Sequence, residues 1–264
     1  MTDRGLSLIV LVCTVGMLTT SPGAWAQEQE EDSPQWQYGL SLSYLTGDYG
    51  EDSNTDIIYT AATVKRYLQK GDITLTVPYV DISADGVIFV DGTAEAVGTG
   101  EGGSGLGDVI LKGRYYAIEQ EGLMPFVDLV GSVKFPTADE DEGLGTGEFD
   151  FTFLVELARR LKNDAWTVLG EFGYTFVGEP DDYDVQNRWL YSVGLAYELN
   201  PKVTLSGYLD GRTAIVEDND NPLSVLLAGE YKYHSDLRFD TLLEVGLNDG
   251  APDFGITFGV RKRM

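Results

Sequence analysis

The sequence predicts an all-β protein: one antiparallel transmembrane β-barrel of about twelve strands, which follows an N-terminal signal peptide. Three observations support this fold class. Apolar and polar residues alternate in segment after segment from Trp36 onward, and the connections between the segments are alternately short and long. The first 26 residues also have the layout of a secretory signal.

The N-terminal segment contains the parts of an export signal. Arg4 lies near its start, an apolar run occupies residues 6–18, and Ala24-Trp25-Ala26 places small residues at the positions that signal peptidase reads. The apolar run is shorter than the roughly 20 residues that a membrane-spanning helix needs. We therefore assign residues 1–26 to a signal peptide and 27–264 to the barrel, with an N-terminal anchor helix as the alternative.

Composition narrows the classes of function. The formal net charge of −25 argues against nucleic acid as a partner, because no basic patch is present to neutralise phosphates. The single cysteine, Cys13, lies inside the presumed signal peptide, so the exported chain would contain neither a disulfide nor a thiolate site. The 32 glycines and 15 tyrosines favour strands and turns over helices.

Alternation with a period of two identifies the strands. In the segment that starts at Trp166, this residue, Val168 and Phe172 share one face, while Thr167 and Glu171 lie on the other. Successive side chains of a strand point to opposite sides, so the pattern predicts strands with one apolar face. Each segment is near the roughly 9–11 residues that a tilted membrane strand needs. The predicted strands are 36–45, 56–68, 72–83, 105–118, 124–135, 148–161, 165–177, 187–199, 202–213, 221–233, 237–247 and 253–263.

The connections predict the orientation of the barrel. Short turns at 69–71, 119–123, 162–164, 200–201 and 234–236 alternate with polar loops at 46–55, 84–104, 136–147, 178–186 and 214–220. Outer-membrane barrels have short periplasmic turns and longer outer loops. We therefore expect the protein in the outer membrane of a Gram-negative bacterium, with both ends of the barrel chain in the periplasm. The expected partners are outer-membrane lipid, lipopolysaccharide and the barrel-assembly machinery.

Alternation alone does not decide which face points outward, because a soluble sandwich or barrel turns its apolar face inward. Three features favour an outward apolar face. Aromatic residues such as Trp166 and Phe176 lie near strand ends, where interfacial girdles form. The polar face carries mid-strand charges, and a Lys or Arg facing lipid would cost about 2–4 kcal/mol. The segments also exceed the roughly 5–6 residues common in soluble strands.

Several glycine-rich and polar motifs between residues 105 and 178 resemble an outer-membrane family named after the meta pathway of phenol degradation. The resemblance implies an outer-membrane barrel that takes up aromatic or other small hydrophobic compounds. The motifs that carry it are Gly105-Leu106-Gly107-Asp108-Val109, Lys134-Phe135-Pro136-Thr137, Gly143-Leu144-Gly145-Thr146-Gly147, Asp150 and Gly173-Tyr174-Thr175-Phe176-Val177-Gly178.

Charged residues on the polar faces of the strands are the candidate functional residues. In a barrel they would line the interior and set the selectivity of a pore. The alternative is structural, in which paired charges only fill a wet interior. The candidate pore-lining residues are Lys112, Arg114, Asp128, Lys134, Glu156, Glu171, Arg188, Glu198, Asp210, Arg212, Glu230, Lys232, Arg238 and Glu244.

Two other patterns have simple interpretations. Gly98, Gly100 and Gly103 fit the spacing of a dinucleotide fingerprint, but that fingerprint needs a helix after it and a strand is predicted there. We interpret the glycines as a flexible outer loop; the family resemblance implies the alternative that this loop folds inward and narrows the pore. His234, the only histidine, lies in a predicted turn beside Ser235 and Asp236, and adjacent residues do not form a catalytic triad. We predict no enzymatic activity.

Acidic clusters occupy three of the long loops, at 139–142, 181–184 and 217–220. None has the ordered spacing of an EF-hand. We interpret them as solvated loop surfaces, with divalent ions that bridge to lipopolysaccharide as the alternative. No cofactor and no resident metal are predicted.

Together these patterns predict a porin-like transporter that passes small solutes across the outer membrane by passive diffusion. The class of solute that the family resemblance implies is aromatic or hydrophobic. The alternative is a barrel that conducts nothing and serves as a structural or surface-interaction protein.

Overall fold

The computed structural model describes residues 35–50, 53–83, 87–90, 93–96, 102–161, 165–181 and 184–264. The signal peptide assigned to 1–26, the turn at 162–164, Gly98, Gly100 and Asp182 lie outside the described residues. Within the part of the chain that is described, no helix has the length and the apolar character needed to cross a membrane.

The described residues form fifteen strands, numbered here in chain order. The strands are β1 (Trp36–Gly47), β2 (Thr55–Leu68), β3 (Gly71–Ile82), β4 (Val87–Val90), β5 (Thr93–Ala96), β6 (Ser104–Leu106), β7 (Val109–Ile118), β8 (Phe126–Phe135), β9 (Asp150–Arg160), β10 (Trp166–Phe176), β11 (Arg188–Asn200), β12 (Val203–Arg212), β13 (Leu223–Lys232), β14 (Leu237–Gly246) and β15 (Phe254–Arg263).

Twelve of these strands close into an antiparallel barrel. Strands β1, β2, β3 and β7 to β15 each pair with the next one along the chain, and β15 pairs with β1 to complete the ring. The predicted barrel of about twelve strands is therefore confirmed. Predicted and observed strand ends agree to within two residues except at 105–118. There the predicted strand is interrupted at Gly107 and Asp108, which separate β6 from β7.

The loop predicted at 84–104 contains regular structure that the sequence pattern did not predict. Strands β4 and β5 form a separate hairpin, and β6 pairs with the last part of β3, beyond the point where β3 stops pairing with β7. These strands have only four, four and three residues. Such short strands show too few alternations to be recognised from periodicity.

The apolar face of the barrel points outward. Phe172, Val193 and Leu227 are 55%, 57% and 57% exposed. Their neighbours along the strands, such as Glu171 and Leu226, are buried. The wall therefore has an apolar exterior and a largely polar interior, which is the arrangement predicted for a membrane barrel.

Aromatic residues of the exterior pack against each other across neighbouring strands. The rings of Trp166 and Tyr197 have centroids 4.6 Å apart at the short-turn ends of β10 and β11. At the opposite ends of these strands, Trp189 contacts Phe172 at 5.1 Å and Tyr174 at 4.5 Å. Cross-strand aromatic pairs stabilise a sheet, and at both ends of the strands they suit the two interfaces of a membrane.

The depth of an outward position should set the cost of placing a charge there. We expect Val193→Arg, in the middle of β11, to lower the free energy of unfolding by about 2–4 kcal/mol, because the arginine would lie in hydrocarbon. Leu199→Arg, near the end of the same strand and 55% exposed, should cost about 0–1 kcal/mol. Urea titration of the protein in lipid vesicles, followed by tryptophan fluorescence, measures both. Equal costs would contradict a membrane-embedded exterior.

Candidate functional site in the barrel interior

All fourteen candidate residues lie at inward-facing positions of the barrel strands. Glu198 and Lys232 are half-buried, and the other twelve are buried. They have this placement because each lies on the face opposite the exposed apolar residues of its strand. The interior is therefore lined by charges of both signs, and the contacts between them separate into distinct groups.

The first group connects β13, β14 and β15 and is fully paired. Glu230 accepts hydrogen bonds from Arg238 at 3.2 Å and from Arg261 at 2.8 Å. Arg261 also donates to both carboxylate oxygens of Asp240, at 2.7 and 2.5 Å. All four side chains are buried. The register places like charges opposite each other, but each side chain contacts one of opposite charge, so this group stabilises the wall.

The second group lies on β7, β8 and β9. The Arg114 guanidinium donates to Glu156 at 2.6 Å, and its Nε lies 3.7 Å from a carboxylate oxygen of Asp128. On the adjoining strands, Lys65 lies 3.5 Å from Asp72, which also accepts a hydrogen bond from the Tyr116 hydroxyl at 3.0 Å. One arginine thus serves two carboxylates in this part of the wall.

The third group attaches the loop at 136–147 to the barrel. The Lys134 ammonium lies 2.9 Å from Asp150 and 3.3 Å from Asp108, and it donates to the Thr146 hydroxyl at 2.7 Å. Asp108 in turn accepts from the backbone amide of Thr137 at 3.0 Å. These five residues all belong to the motifs that carry the family resemblance. The motifs therefore correspond to one ion-pair network that fixes an outer loop to the rim.

Glycines in the same motifs allow this packing. A Cβ atom at Gly145 would lie 2.6 Å from a carboxylate oxygen of Asp108. Gly147 has a φ of +71°, in the left-handed region that favours glycine. The loop therefore needs glycine at these two positions, once for close approach and once for backbone conformation.

Six further charged residues of the interior were missed by the sequence analysis. Their signal was present, since alternation places Asp150 and Asp240 on polar faces, but the partners become evident only from the strand register. In the register of the strands, Asp150 lies opposite Lys134, Asp240 opposite Glu230, and Arg261 opposite Arg238. The buried charged residues outside the predicted set are Lys65, Asp72, Asp108, Asp150, Asp240 and Arg261.

Part of the interior wall is apolar, which the sequence analysis did not predict. Leu169, Tyr208 and Leu226 form a buried cluster on the inner face of β10, β12 and β13, together with neighbouring alanines and Leu242. Gly194 faces Tyr208 across the ladder, and a Cβ atom there would lie 2.3 Å from the tyrosine ring. The glycine thus leaves room for an aromatic ring inside the barrel.

The hairpin of β4 and β5 lies across the mouth of the barrel at the long-loop end. Val87 packs in a buried cluster with Ile57 and Tyr59 of β2. Ile88, the next residue, packs with Val177 and Ile215, which follow β10 and β12. These two walls lie about six strands apart in the ring of twelve, so they face each other. The hairpin therefore bridges opposite sides of the mouth and narrows it.

Tyr49 belongs to the same cluster as Val87 and lies just beyond the end of β1. Burial raises the pKa of its hydroxyl, so it stays neutral. A neutral phenol suits an apolar contact with the hairpin.

The remaining motifs form no chemical centre within the described residues. His234 is exposed, and its ring contacts that of Tyr233 at 4.3 Å between centroids. No group of three or more histidine, cysteine, aspartate or glutamate side chains in the described chain is arranged to hold a metal ion. In the loop at 139–142, Asp139 accepts a hydrogen bond from the backbone amide of Asp141, as in an ordinary turn.

Comparison with known proteins gives a family and a fold. Residues 70–264 match the family model described as "Putative MetA-pathway of phenol degradation". The search of curated proteins found no match. Among solved structures, an outer membrane channel from Pseudomonas putida F1 aligns with a TM-score of 0.68 and 11% identity, over 90% of this chain and 100% of that chain.

Two further solved structures share the architecture. The NanC porin aligns with a TM-score of 0.53 and 10% identity, over 86% of this chain and 100% of that one. The translocator domain of the autotransporter NalP from Neisseria meningitidis aligns with a TM-score of 0.51 and 10% identity, over 89% and 90% of the two chains. At such identities the likeness establishes the outer-membrane barrel fold.

The paired network on β13 to β15 should contribute strongly to stability. We expect Arg261→Met to lower the free energy of unfolding by about 3–5 kcal/mol, because it leaves the buried carboxylates of Asp240 and Glu230 undercompensated. Lys262→Met removes a neighbouring charge whose exposed pair with Asp236 spans 4.0 Å, and it should cost at most about 1 kcal/mol. Urea unfolding of the two variants in vesicles compares them. Similar losses would show that the network stabilises nothing.

Proposed function

Because the chain belongs to the family described as the MetA pathway of phenol degradation, we propose that it is a porin-like outer-membrane transporter that passes small solutes by passive diffusion. The observation that carries the proposal is the closed barrel with charges of both signs along its inner wall. A hydrated, charged interior suits the passage of polar and ionic solutes, and its side chains tune selectivity.

The proposed class of solute includes small aromatic or hydrophobic compounds. The family description refers to the degradation of phenol, an aromatic compound. On the inner wall, Leu169, Tyr208 and Leu226 offer an apolar surface beside the charged residues. An aromatic solute could contact this surface while its polar group faces the charges. The proposal assigns no catalytic step to the chain.

The proposal also places the protein in its membrane. Residues 1–26 would direct export, and the barrel-assembly machinery would insert residues 27–264 into the outer membrane. The exposed acidic loops, including residues 139–142, would lie beside lipopolysaccharide. The short turns, such as the one at Asn200 and Pro201, would face the periplasm.

The alternative function is a barrel that conducts nothing and serves a structural or surface-interaction role. One observation favours it: Val87 and Ile88 pack against opposite walls of the mouth. A hairpin in that position restricts passage. The two functions differ in a single measurable property, the conductance of the inserted protein.

The first test is single-channel recording on refolded protein that lacks residues 1–26, in a planar bilayer. Discrete current steps are expected for a channel. A protein that inserts and folds but stays silent would support the structural alternative and overturn the proposed transport. Recovery as a soluble monomer that does not insert would overturn the membrane barrel as well.

The hairpin at the mouth should limit the conductance. We expect Ile88→Asp to displace the hairpin, because a carboxylate in the cluster of Val177 and Ile215 would lack a partner. Single-channel conductance should rise by about twofold or more, since the narrowest part of a pore dominates its resistance. Leu123→Asp, at a position that is 83% exposed in a short turn, is the control and should leave the conductance unchanged. An unaltered conductance in the Ile88 variant would show that the hairpin does not restrict the pore.

A further inference from the structure

Four inward-facing carboxylates lie on one line of paired positions across five neighbouring strands. Asp128 of β8 is paired with Glu156 of β9, and Glu156 is paired with Glu171 of β10. Glu171 is then paired with Ser192 of β11, and Ser192 with Asp210 of β12. We call Asp128, Glu156, Glu171 and Asp210 the acidic row.

The acidic row climbs the barrel wall from the short-turn side towards the long-loop side. Asp128 lies near the start of β8, beside a short turn, whereas Asp210 lies near the end of β12, beside a long loop. Both strands run in the same direction, and tilted strands make a line of paired residues climb the wall. A solute that follows the row therefore moves along the barrel axis, from the short-turn side towards the long-loop side.

The row is costly for the fold. Side chains at directly opposed positions have Cβ atoms about 4.5–5.5 Å apart, and like charges so placed destabilise a sheet. Arg114 offsets part of this repulsion, since it contacts Glu156 at 2.6 Å and lies 3.7 Å from Asp128. Arrangements that lower stability locally are expected mainly at functional sites.

Glu171 and Asp210 have no such direct contact, although Lys112 and Arg114 act on Glu171, and Arg212 on Asp210, through space. No side-chain hydrogen bond or ion pair joins either carboxylate to another described residue. Glu171 is only 6% exposed, and its Oε2 atom is buried without a hydrogen-bond partner. This differs from Glu230, which has two arginine partners. An ionised carboxylate buried without a partner is costly, and a passing cation would offset that cost.

Positive charges lie on a separate line of the same wall. Lys112 and Arg188 are joined through three hydroxyl residues at paired positions, Ser132, Thr152 and Thr175. On β7 to β11 this line lies four residues from the acidic row, which is about 13 Å along a strand. The two lines thus occupy different levels of the wall, although the charge of Lys112 still acts on Glu156 and Glu171.

The acidic row is not arranged as a metal site, because no described group of three carboxylates is close enough to chelate an ion. Spaced carboxylates suit ions that keep moving, such as monovalent cations. The exposed acidic residues 139–142 of an outer loop add negative charge at one mouth, which raises the local concentration of cations.

We propose that the acidic row is the path of cations through the barrel, so that the pore prefers small monovalent cations, including organic ammonium ions, over anions. This inference rests on the proposed function, because it requires a conducting barrel. Glu171 and Asp210 set the preference for cations. Lys112, on the separate line of positive charges, lowers that preference.

Reversal potentials across a gradient of potassium chloride test the proposal, with tetramethylammonium chloride as the organic probe. The unmodified barrel should pass potassium in preference to chloride. The double variant Glu171→Gln/Asp210→Asn should reduce the ratio of cation to anion permeability by roughly fivefold, the change that about 1 kcal/mol produces. Lys112→Met should shift the ratio the other way.

Asp81→Asn is the matched control, because Asp81 is exposed on the outer side of β3 and its loss changes the charge without touching the interior. It should leave the ratio unchanged. A conducting barrel that prefers chloride, or whose ratio is unaffected by the double variant, overturns the acidic row as the cation path and leaves the channel proposal intact. A folded, inserted barrel without conductance overturns the channel itself. If the double variant fails to fold, the reversal potentials of the unmodified barrel and of the single variants Glu171→Gln and Asp210→Asn still test whether the acidic row selects cations.

Discussion

The hydrogen bonds of the backbone determine the architecture of this protein. In hydrocarbon each N–H and C=O group needs a partner within the protein, so a sheet with a free edge is unstable there. The pairing of β15 with β1 removes the last edge of the twelve-stranded sheet. Closure in turn fixes the register of each strand, and the register decides which charged side chains meet across the interior.

The interior combines two ways of arranging charge. Around Arg261, opposite charges are in direct contact, and each buried group has a partner. Along Asp128, Glu156 and Glu171, like charges face each other on successive strands. The first arrangement accounts for the stability of a polar wall, whereas the second lowers stability. This contrast separates residues that hold the barrel together from residues that would interact with a solute.

The mouth at the long-loop end is shaped by residues from distant parts of the chain. Lys134, Asp108 and Asp150 fix one loop to the rim through ion pairs. Val87 and Ile88 place a hairpin between opposite walls through apolar contacts. The family motifs thus form a loop anchor, since they supply the charged residues and the glycines that this anchor needs. Access to the charged interior depends on both the anchored loop and the hairpin.

The strands, their outward faces and the strand count could all be predicted from the order of the residues alone. A side-chain period of two is a local property, so residues such as Trp166, Val168 and Phe172 reveal it without knowledge of their neighbours. Inward placement of Glu171 and Arg212 followed from the same alternation. The short hairpin at Val87 was missed because few alternations fit within four residues.

The pairing of the charges follows from the closed barrel and could not be predicted from the residue pattern. Arg261 meets Glu230, and Glu171 faces Glu156, because the register of the closed barrel brings these strand positions together. Alternation fixes the side of the wall on which a residue lies, but it carries no information about the offset between strands. The ion-pair networks, the acidic row and the hairpin across the mouth all depend on that offset or on packing between distant segments, which is why they emerge only when the ring is closed.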